Sequence, residues 1–360
     1  MNSMIKRRKT RQVMVGTVPI GGDAPIPVQS MTTTKTHDVR ATLAQIERLE
    51  TAGCQIIRVT VPDQAAADAL AEIKKHMQVP LVADIHFNYR MALAAVDAGV
   101  DKIRINPGNI GNRERVKLVL DKVKSAGLPI RIGVNAGSLE KHLLEKYGYP
   151  TAEALVESAR LHIDICREHG FENIIVSLKA SDVGLMIAAY CLFSREFDYP
   201  LHLGVTEAGP SRSGTIKSAV GIGALLSRGI GDTIRVSLTD DPVEEVHAGY
   251  EILKSLGLAS RGVTIVACPT CGRLEVDLFK IAGEMEERLK QVKTPLSVAL
   301  MGCAVNGPGE ASHTDLGIAF GKGGGQLYYK GRNIGRVRED EAIDRLLELI
   351  RQFEATEGKS

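Results

Sequence analysis

Three cysteines near the carboxyl end of the chain have the spacing of metal ligands. Cys268 and Cys271 form a Cys-x-x-Cys pair, and Cys303 follows a later apolar run. Thiolates in this arrangement bind a soft metal centre, either zinc or an iron–sulfur cluster. A structural zinc would need a fourth ligand, for which only His313 is close in sequence. A thiol–disulfide pair is a third interpretation, but it leaves Cys303 without a role.

A glutamate follows the third cysteine in a Gly-Pro-Gly segment that we interpret as a loop. Glu310 closes the sequence MGCAVNGPGE at 301–310. A 4Fe–4S cluster tolerates three thiolates with one iron held more weakly, and a carboxylate is harder and more easily displaced than a thiolate. Such an iron can act as a Lewis acid towards a substrate oxygen. In a chain with no other redox group, these residues suggest reductive chemistry.

Four apolar runs share the tripeptide Ile-Arg-(Val/Ile), with arginines at Arg58, Arg104, Arg131 and Arg235. Side chains alternate along a strand, so the arginine points away from its apolar neighbours. The outer face of a closed barrel packs on helices and is apolar, so the arginines should point into the lumen. The same alternation places further polar residues on the inward face, namely Thr60, Asp84, His86, Asn106, Gly133, Asn135, Ser177, Lys179 and Ser237.

This inward face carries more positive than negative charge. The four arginines and Lys179 face Asp84 and Glu207, which leaves a surplus of about three cations. An excess of positive charge that is partly shielded from water is costly unless a multiply charged anion balances it. Arginine guanidiniums favour phosphate oxygens as partners. We therefore expect a phosphorylated or diphosphorylated small molecule. The competing interpretation is that some arginines pair with carboxylates elsewhere in the chain.

Carboxylates and histidines are candidates for contact with the uncharged part of the ligand. Asp84 and His86 share one strand face and suit substrate hydroxyls. Glu207, just past the seventh strand, has the best position for a general acid or base, although it could simply balance an arginine. His202 is interpreted as a hydrogen-bonded core residue. Asp84, His86, Glu207 and Glu310 are thus the catalytic candidates.

A regular strand–helix rhythm must position these residues. Ile/Val-rich runs predict eight strands, at 27–31, 55–61, 81–85, 102–105, 130–134, 174–178, 201–205 and 233–238. Amphipathic segments predict helices between them, among others at 41–52, 113–126, 151–169, 216–228 and 243–256. Eight such units indicate an α/β fold, a (β/α)8 TIM barrel. A hairpin with strands near 12–17 and 26–30 should cap its bottom.

The rhythm changes near residue 260. Strands are predicted near 263–267, 296–301, 316–320 and 326–330, and helices over 277–291 and 339–353. We therefore divide the chain into two domains. Residues 1–260 are predicted to form the barrel domain, which would bind the phosphorylated or diphosphorylated ligand. Residues 261–360 are predicted to form a smaller α/β domain, which would carry the metal centre, either a zinc ion or an iron–sulfur cluster.

Composition excludes several classes of protein. The 360 residues are 44% hydrophobic and 24% charged, which is ordinary for a globular protein. A net charge of +2 and 4% aromatic residues without tryptophan argue against nucleic-acid binding. No apolar stretch approaches the roughly 20 residues that span a bilayer, so we expect a cytoplasmic protein without membrane contact. Cys54, Cys166 and Cys191 are interpreted as buried hydrophobic residues.

Several motifs together resemble those of a known enzyme family. They are CPTCGR at 268–273, MGCAVNGPGE at 301–310, RRKTR at 7–11 and RINPGN at 104–109. With these motifs, and along essentially the whole chain, the sequence resembles the bacterial 4-hydroxy-3-methylbut-2-en-1-yl diphosphate synthases. That family consists of iron–sulfur oxidoreductases of the methylerythritol phosphate pathway to isoprenoids.

The resemblance implies a reaction, a cofactor and an assembly. The substrate would be 2-C-methyl-D-erythritol 2,4-cyclodiphosphate, reduced by two electrons with ring opening and loss of water. One 4Fe–4S cluster per subunit would be held by Cys268, Cys271, Cys303 and Glu310. The enzyme would be a homodimer in which the cluster domain of one subunit closes over the barrel mouth of the other.

The resemblance also implies roles for residues of the barrel. Those that would hold the diphosphate are Arg58, Arg104, Arg131, Lys179, Arg235 and Ser237. Those that would lie near the substrate hydroxyls and the leaving oxygen are Asp84, Asn106, Asn135 and Glu207. Glu207 would supply the proton that lets this oxygen leave as water.

Electrons must come from outside, because the sequence has no nicotinamide or flavin motif. Between 316 and 338 the chain carries basic residues and no acidic one, namely Lys322, Lys330, Arg332, Arg336 and Arg338. They would either dock an acidic carrier, flavodoxin or ferredoxin, or form a solvated loop. Two other functions stay open: a non-redox barrel lyase or transferase acting on a phosphorylated metabolite with a structural zinc tail, and an anion sensor.

Overall fold

The computed structural model describes residues 5–290 and 292–357. The chain divides into two units between Ala259 and Ser260, and each unit has its own hydrophobic core. Within the described ranges, every helix is too short or too polar to cross a lipid bilayer. The helix predicted over 277–291 ends on residue 291, which lies outside the described residues.

A hairpin precedes the barrel, with β1 (Val13–Val15) antiparallel to β2 (Val18–Ile20). The predicted second strand near 26–30 is wrong, because the chain already turns at Gly16, whose φ of 55° suits glycine. Residues 26–30 instead lead into the first barrel strand. The hairpin residues Val13, Val15 and Ile20 pack against three residues of the barrel strands, namely Ile56, Val82 and Ile175. The barrel residues are the first inward side chains of their strands, so the hairpin covers the amino end of the barrel.

Parallel strands form the barrel, as predicted. They are β3 (Gln29–Met31), β4 (Ile56–Thr60), β5 (Leu81–Asp84), β6 (Lys102–Arg104), β7 (Ile130–Asn135), β8 (Ile174–Lys179), β9 (His202–Leu203) and β10 (Thr233–Ile234). Strands β3 to β8 pair in chain order, and β9 pairs with β10. Single parallel bridges close the circle, from Val176 to Leu201 and from Val28 to Ile234.

Helices follow the strands. They are α1 (Val39–Ala52), α2 (Gln64–His76), α3 (Tyr89–Asp97), α4 (Arg113–Ser125), α5 (Lys141–Tyr147), α6 (Ala152–Glu168), α7 (Val183–Glu196), α8 (Ser211–Leu226) and α9 (Pro242–Ser255). Side chains such as Asp63 and Thr151 accept N–H groups of the first turn and fix the helix starts. Helix α8 was predicted to start at residue 216 but begins at Ser211, directly after Pro210. Proline is accepted at this position because the residue before a helix does not adopt helical backbone angles.

The second unit is a mixed sheet with helices. Its elements are β11 (Val263–Ala267), α10 (Leu278–Leu289), β12 (Leu296–Met301), α11 (Gly307–Ser312), β13 (Leu316–Gly321), β14 (Gly324–Tyr329), β15 (Arg332–Val337) and α12 (Ala342–Glu357). The strand order is β11-β12-β13-β14-β15. The first three strands are parallel, and β14 and β15 are added antiparallel.

Two elements of this unit depart from the prediction. Strand β15 was not expected, because its polar sequence RNIGRV is exposed and lacks an apolar alternation. Glu310 lies on the short helix α11 and not in a loop. The sequence GPGEAS has low helix propensity, but proline is tolerated in the first turn. The helix also packs closely on the sheet, since a Cβ at residue 307 would lie 3.0 Å from Ala319 and 3.1 Å from Met301.

Candidate active site

A cavity of about 710 Å³ opens at the carboxyl ends of the barrel strands. Its lining contains the barrel residues predicted to bind substrate or to act in catalysis, with the exception of Glu207; of the other residues predicted on the inward face, Thr60 and Gly133 are not part of the lining. The lining residues are Arg58, Asp84, His86, Phe87, Arg104, Asn106, Asn109, Arg131, Asn135, Ser138, Leu139, Glu140, Lys141, Ser177, Lys179, Thr206, Arg235 and Ser237. The strand alternation therefore brings residues that are distant in sequence to one site.

Arg104 is fixed between neighbouring strands. In register it lies beside Asp84 on β5 and Arg131 on β7. Its Nη1 donates to Asp84 Oδ1 at 3.3 Å, and its Nη2 donates to the Gly133 carbonyl at 2.9 Å. A Cβ at residue 133 would lie 2.6 Å from Arg104 Nε. Only glycine therefore leaves room for the guanidinium.

Asp84 stands between two arginines. Its Oδ2 is 3.6 Å from Arg58 Nε, while its Oδ1 accepts from Arg104. Burial alone would raise the pKa of the Asp84 carboxyl, but the two guanidiniums outweigh it and hold this pKa below the usual value. Burial lowers the pKa of Arg58 to about 10. Asp84 is thus an ionised acceptor at neutral pH.

Arg235 is held by a carboxylate that the sequence analysis missed. Glu245, in the first turn of α9, accepts from Arg235 Nη2 at 3.2 Å and from its Nε at 3.3 Å. Its oxygens also accept from Ser30 Oγ at 2.9 Å and from the Leu238 N–H at 3.1 Å. The competing interpretation of paired arginines is therefore right for this arginine. No local sequence signal indicates the pairing, since Glu245 reaches in from a helix.

Three cations of the barrel interior are almost completely buried. They are Lys102, Arg131 and Lys179. Lys102 Nζ donates to Gln29 Oε1 at 3.4 Å, while Nε and Nη1 of Arg131 have no partner among the described residues. Burial, and then the neighbouring arginines, lower the pKa of each of these groups. Lys102 lies two residues before Arg104, so alternation alone could have identified it.

The charge surplus is larger than the sequence analysis expected. The cationic side chains of the interior are Arg58, Lys102, Arg104, Arg131, Lys179 and Arg235. Against these six, the described interior places the carboxylates of Asp84 and Glu245, and at the rim of the cavity Glu140 and Lys141 add one charge of each sign. An excess of about four positive charges with unpartnered N–H groups is costly unless an anion with several charged oxygens completes it. The arrangement suits a phosphate or diphosphate.

Polar residues that suit an uncharged ligand group line the same cavity. The Asn106 side chain accepts from the Gly133 N–H at 2.8 Å and donates to the Gly133 carbonyl at 3.1 Å, which fixes its orientation. His86 is half exposed, with Nε2 3.9 Å from Asp84 Oδ2. Asn135 and Ser237 also line the cavity.

The structure does not bring Glu207 and His202 to the cavity lining. Glu207 is exposed, with the left-handed φ of 52°, and its neighbour Thr206 lines the cavity instead. His202 is completely buried, as predicted for a core residue. The predicted hydrogen bonds are wrong, because neither ring nitrogen has a partner among the described residues. Burial and the nearby cations lower the pKa of His202, which keeps it neutral.

The three predicted metal-binding cysteines follow two adjacent parallel strands. Cys268 comes directly after β11, and Cys303 comes after β12. Cys268 Sγ accepts from the Gly302 N–H at 3.4 Å. The Arg273 backbone N–H, and then its guanidinium, lower the pKa of the exposed Cys271 thiol. A Cβ at residue 302 would lie 2.3 Å from Leu274 Cδ2, so a larger residue there would displace the Leu274 side chain.

The chemistry of these donors fits an iron–sulfur cluster. All three thiols are free, and the side chain of Cys271 is exposed. Helix α11, which carries Glu310, packs through Gly307 against Met301 at the end of β12, two residues before Cys303. Within residues 5–290 and 292–357, no three His, Cys, Asp or Glu side chains lie close enough together to hold a metal ion. By contrast, burial raises the pKa of the Cys54 and Cys166 thiols to about 12, as expected for inert core residues.

Comparison with known proteins agrees with this arrangement. A family model described as the GcpE TIM-barrel domain matches residues 10–250, and one described as the GcpE protein C-terminal domain matches residues 264–352. The chain belongs to the GcpE family. The membership confirms the resemblance found in the sequence, the barrel fold and the assignment to the oxidoreductases.

Curated GcpE relatives match over nearly the full length. A protein of Geobacillus thermodenitrificans (strain NG80-2) is 61% identical over 96% of this chain and 92% of its own. One of Anoxybacillus flavithermus (strain DSM 21510 / WK1) is 58% identical over 100% of both chains. Both are named 4-hydroxy-3-methylbut-2-en-1-yl diphosphate synthase (flavodoxin). The structure of dihydropteroate synthase from Stenotrophomonas maltophilia, with a TM-score of 0.53, 16% identity and coverage of 69% of this chain and 97% of that one, shares the fold alone.

Proposed function

We propose that this GcpE chain converts 2-C-methyl-D-erythritol 2,4-cyclodiphosphate into 4-hydroxy-3-methylbut-2-enyl diphosphate for isoprenoid precursor biosynthesis by the methylerythritol phosphate pathway. Two electrons and two protons are consumed. The ring carbon–oxygen bond to the diphosphate breaks, and one hydroxyl leaves as water. The observation that carries this proposal is the excess of cations in the barrel cavity of a chain about 60% identical to such synthases.

The barrel binds the diphosphate and stabilises its leaving oxygen. The residues proposed for this role are Arg58, Arg104, Arg131, Lys179, Arg235 and Ser237, which all line the cavity. Charge develops on the diphosphate oxygen as the ring opens, and fixed guanidiniums in a desolvated site stabilise that charge. The anchoring of Arg104 and Arg235 by carboxylates keeps them in place before the substrate arrives.

The remaining cavity residues orient the hydroxyl groups. Asp84, Asn106 and Asn135 act as hydrogen-bonding partners, and His86 is a further contact at the open side. Glu207 supplies the proton for the departing water. Its exposed position beside Thr206 supports exchange of this proton with solvent.

The electrons require a bound redox centre. A 4Fe–4S cluster would be held by Cys268, Cys271, Cys303 and Glu310, and when bound it supplies electrons one at a time. The free thiols after β11 and β12 and the carboxylate of α11 support this ligand set. An external flavodoxin, or a ferredoxin in its place, would supply the electrons. We further propose a homodimer in which the second unit of one subunit serves the barrel of the other.

An anaerobic preparation tests the proposal. We expect iron and acid-labile sulfide, a broad visible absorption band, and turnover of the cyclodiphosphate under a strong reductant. Cys303→Ser should lose the band and all activity, because a thiolate ligand is removed. Glu310→Ala should keep part of the iron and lose most turnover.

The control for this test is Cys166→Ala, which changes a buried cysteine of the barrel unit. It should retain iron, the visible band and activity. Zinc without a visible band, or a fully active Cys303→Ser enzyme, would overturn the cluster assignment. Zinc together with a non-reductive reaction would indicate the lyase or transferase with a structural zinc tail.

A further inference from the structure

Glu140 stands at the rim of the barrel cavity, and the proposed function does not use it. It follows β7 and directly precedes α5, and it lines the cavity. Its Oε1 accepts from His162 Nε2 at 2.9 Å and from Ser158 Oγ at 3.0 Å. Its Oε2 is buried and has no hydrogen-bond partner among residues 5–290 and 292–357. One oxygen is therefore anchored, while the other still has its hydrogen-bonding capacity.

His162 anchors this carboxylate, and the hydrogen bonds of its ring define which nitrogen carries the proton. The ring is 3% exposed and lies on α6. Its Nδ1 accepts from the Gly108 N–H at 3.2 Å, so the ring proton is assigned to Nε2, which donates to Glu140. A Cβ at residue 108 would lie 2.8 Å from His162 Cε1. The loop after β6 therefore packs closely against the His162 ring at Gly108.

The anchored group is an acceptor and not a proton donor. Burial would raise the pKa of Glu140, but the hydrogen bonds from His162 and Ser158 and from its own backbone N–H lower it to about 2. At neutral pH the carboxylate is ionised. A carboxylate oxygen without a partner repels a phosphate and attracts a hydroxyl, in a cavity whose interior carries an excess of cations.

We propose that Glu140 is a specificity-determining residue that accepts a hydrogen bond from a free hydroxyl of the substrate, with His162 as its positioning residue. The inference rests on the proposed function, because the substrate it names is an erythritol esterified at two of its oxygens. Its other two oxygens are free hydroxyls. The interior cations bind the diphosphate, and Glu140 at the rim recognises the polyol that carries it.

Two ligands separate these roles. The cyclodiphosphate carries hydroxyls, while inorganic pyrophosphate offers the charged part alone. By isothermal titration, Glu140→Gln should bind the cyclodiphosphate about tenfold more weakly, the size of one lost charge-assisted hydrogen bond. The same variant should bind pyrophosphate as well as the unchanged protein or more tightly, because a negative charge has been removed. KM for the cyclodiphosphate should rise in parallel.

A matched control and a second variant keep the test decisive. Glu157→Gln removes a carboxylate of α6, which bonds Tyr147 and Lys146 outside the cavity lining, and should change neither affinity. If Glu140→Gln fails to fold, Glu140→Asp, which keeps the charge and shortens the reach, should show the same selective loss. Equal weakening of both ligands, or no weakening of either, would overturn the proposal. Failure of the unchanged protein to bind pyrophosphate would instead count against the diphosphate site itself.

Discussion

Gly133 decides whether Arg104 can face the cavity. We expect Gly133→Ala to displace the guanidinium, because the new Cβ would lie 2.6 Å from Arg104 Nε and 2.9 Å from its Nη2. The side chain cannot easily yield, since Asp84 and the Gly133 carbonyl both hold it. Losing one charge-assisted contact should weaken pyrophosphate binding about tenfold, as measured by isothermal titration.

The control for this prediction is four residues away. A Cβ at Gly137 would meet no atom within 4 Å, so Gly137→Ala should bind pyrophosphate normally. Unchanged affinity in Gly133→Ala would mean that Arg104 does not contribute to anion binding.

Single residues could be predicted from the sequence only where a local rule applied. Strand alternation predicts the inward arginines, and it would have identified Lys102 as well. The same rule does not apply to Glu245 and Glu140, because Glu245 lies on a helix and Glu140 lies in the turn before a helix. Their partners are distant in sequence, as Ser30 is for Glu245. Such contacts depend on tertiary packing.

The basic residues proposed to dock the electron carrier lie on β15 and in the turns that flank β14 and β15. All five are exposed, namely Lys322, Lys330, Arg332, Arg336 and Arg338. Arg338, however, pairs with Asp340 in the turn that follows, so it adds little net charge. Arg332→Glu combined with Arg336→Glu should raise KM for reduced flavodoxin at least tenfold at low salt, because it reverses the charge that attracts an acidic partner.

Two further measurements decide whether this effect is docking. Turnover with a small chemical reductant should be unchanged in the double variant, and the difference should shrink as salt rises. Arg351→Glu, an exposed charge reversal on α12, should leave KM for flavodoxin unchanged. A double variant that accepts electrons from flavodoxin normally at low salt would place the docking surface elsewhere.

Whole elements were predictable where apolar periodicity was strong. The barrel strands and their helices follow this rule, because each strand is apolar on its outer face. The rule does not predict strand β15, because the side chains of this strand are exposed. It does not predict α11 either, because two glycines and a proline occupy this short helix. The turn at Gly16 was missed because Gly21 and Gly22 also have positive φ and offered a stronger turn signal.

The two-unit organisation makes the proposed homodimer testable by mixing. The cationic cavity belongs to the first unit and the cysteines to the second. Arg131→Met and Cys303→Ser should each be inactive alone. If the second unit of one subunit serves the barrel of its partner, co-refolded or co-expressed mixtures contain dimers with one intact site. Activity should then recover to about a quarter of the wild-type value for random pairing.

The control mixes two variants of the same unit. Arg131→Met with Arg58→Ala leaves every site damaged in either arrangement, so no activity should return. Absence of recovery in the first mixture, despite heterodimers detected by native mass spectrometry, would mean that each chain uses its own two units.

Val13, Val15 and Ile20 close the amino end of the barrel, so its interior opens only at the carboxyl end. Substrate and product must therefore use the same opening. A diphosphate product that is still bound to the arginines prevents the next substrate molecule from binding. The product should compete with the substrate for the free enzyme, and its departure sets an upper limit on how fast successive cycles can run.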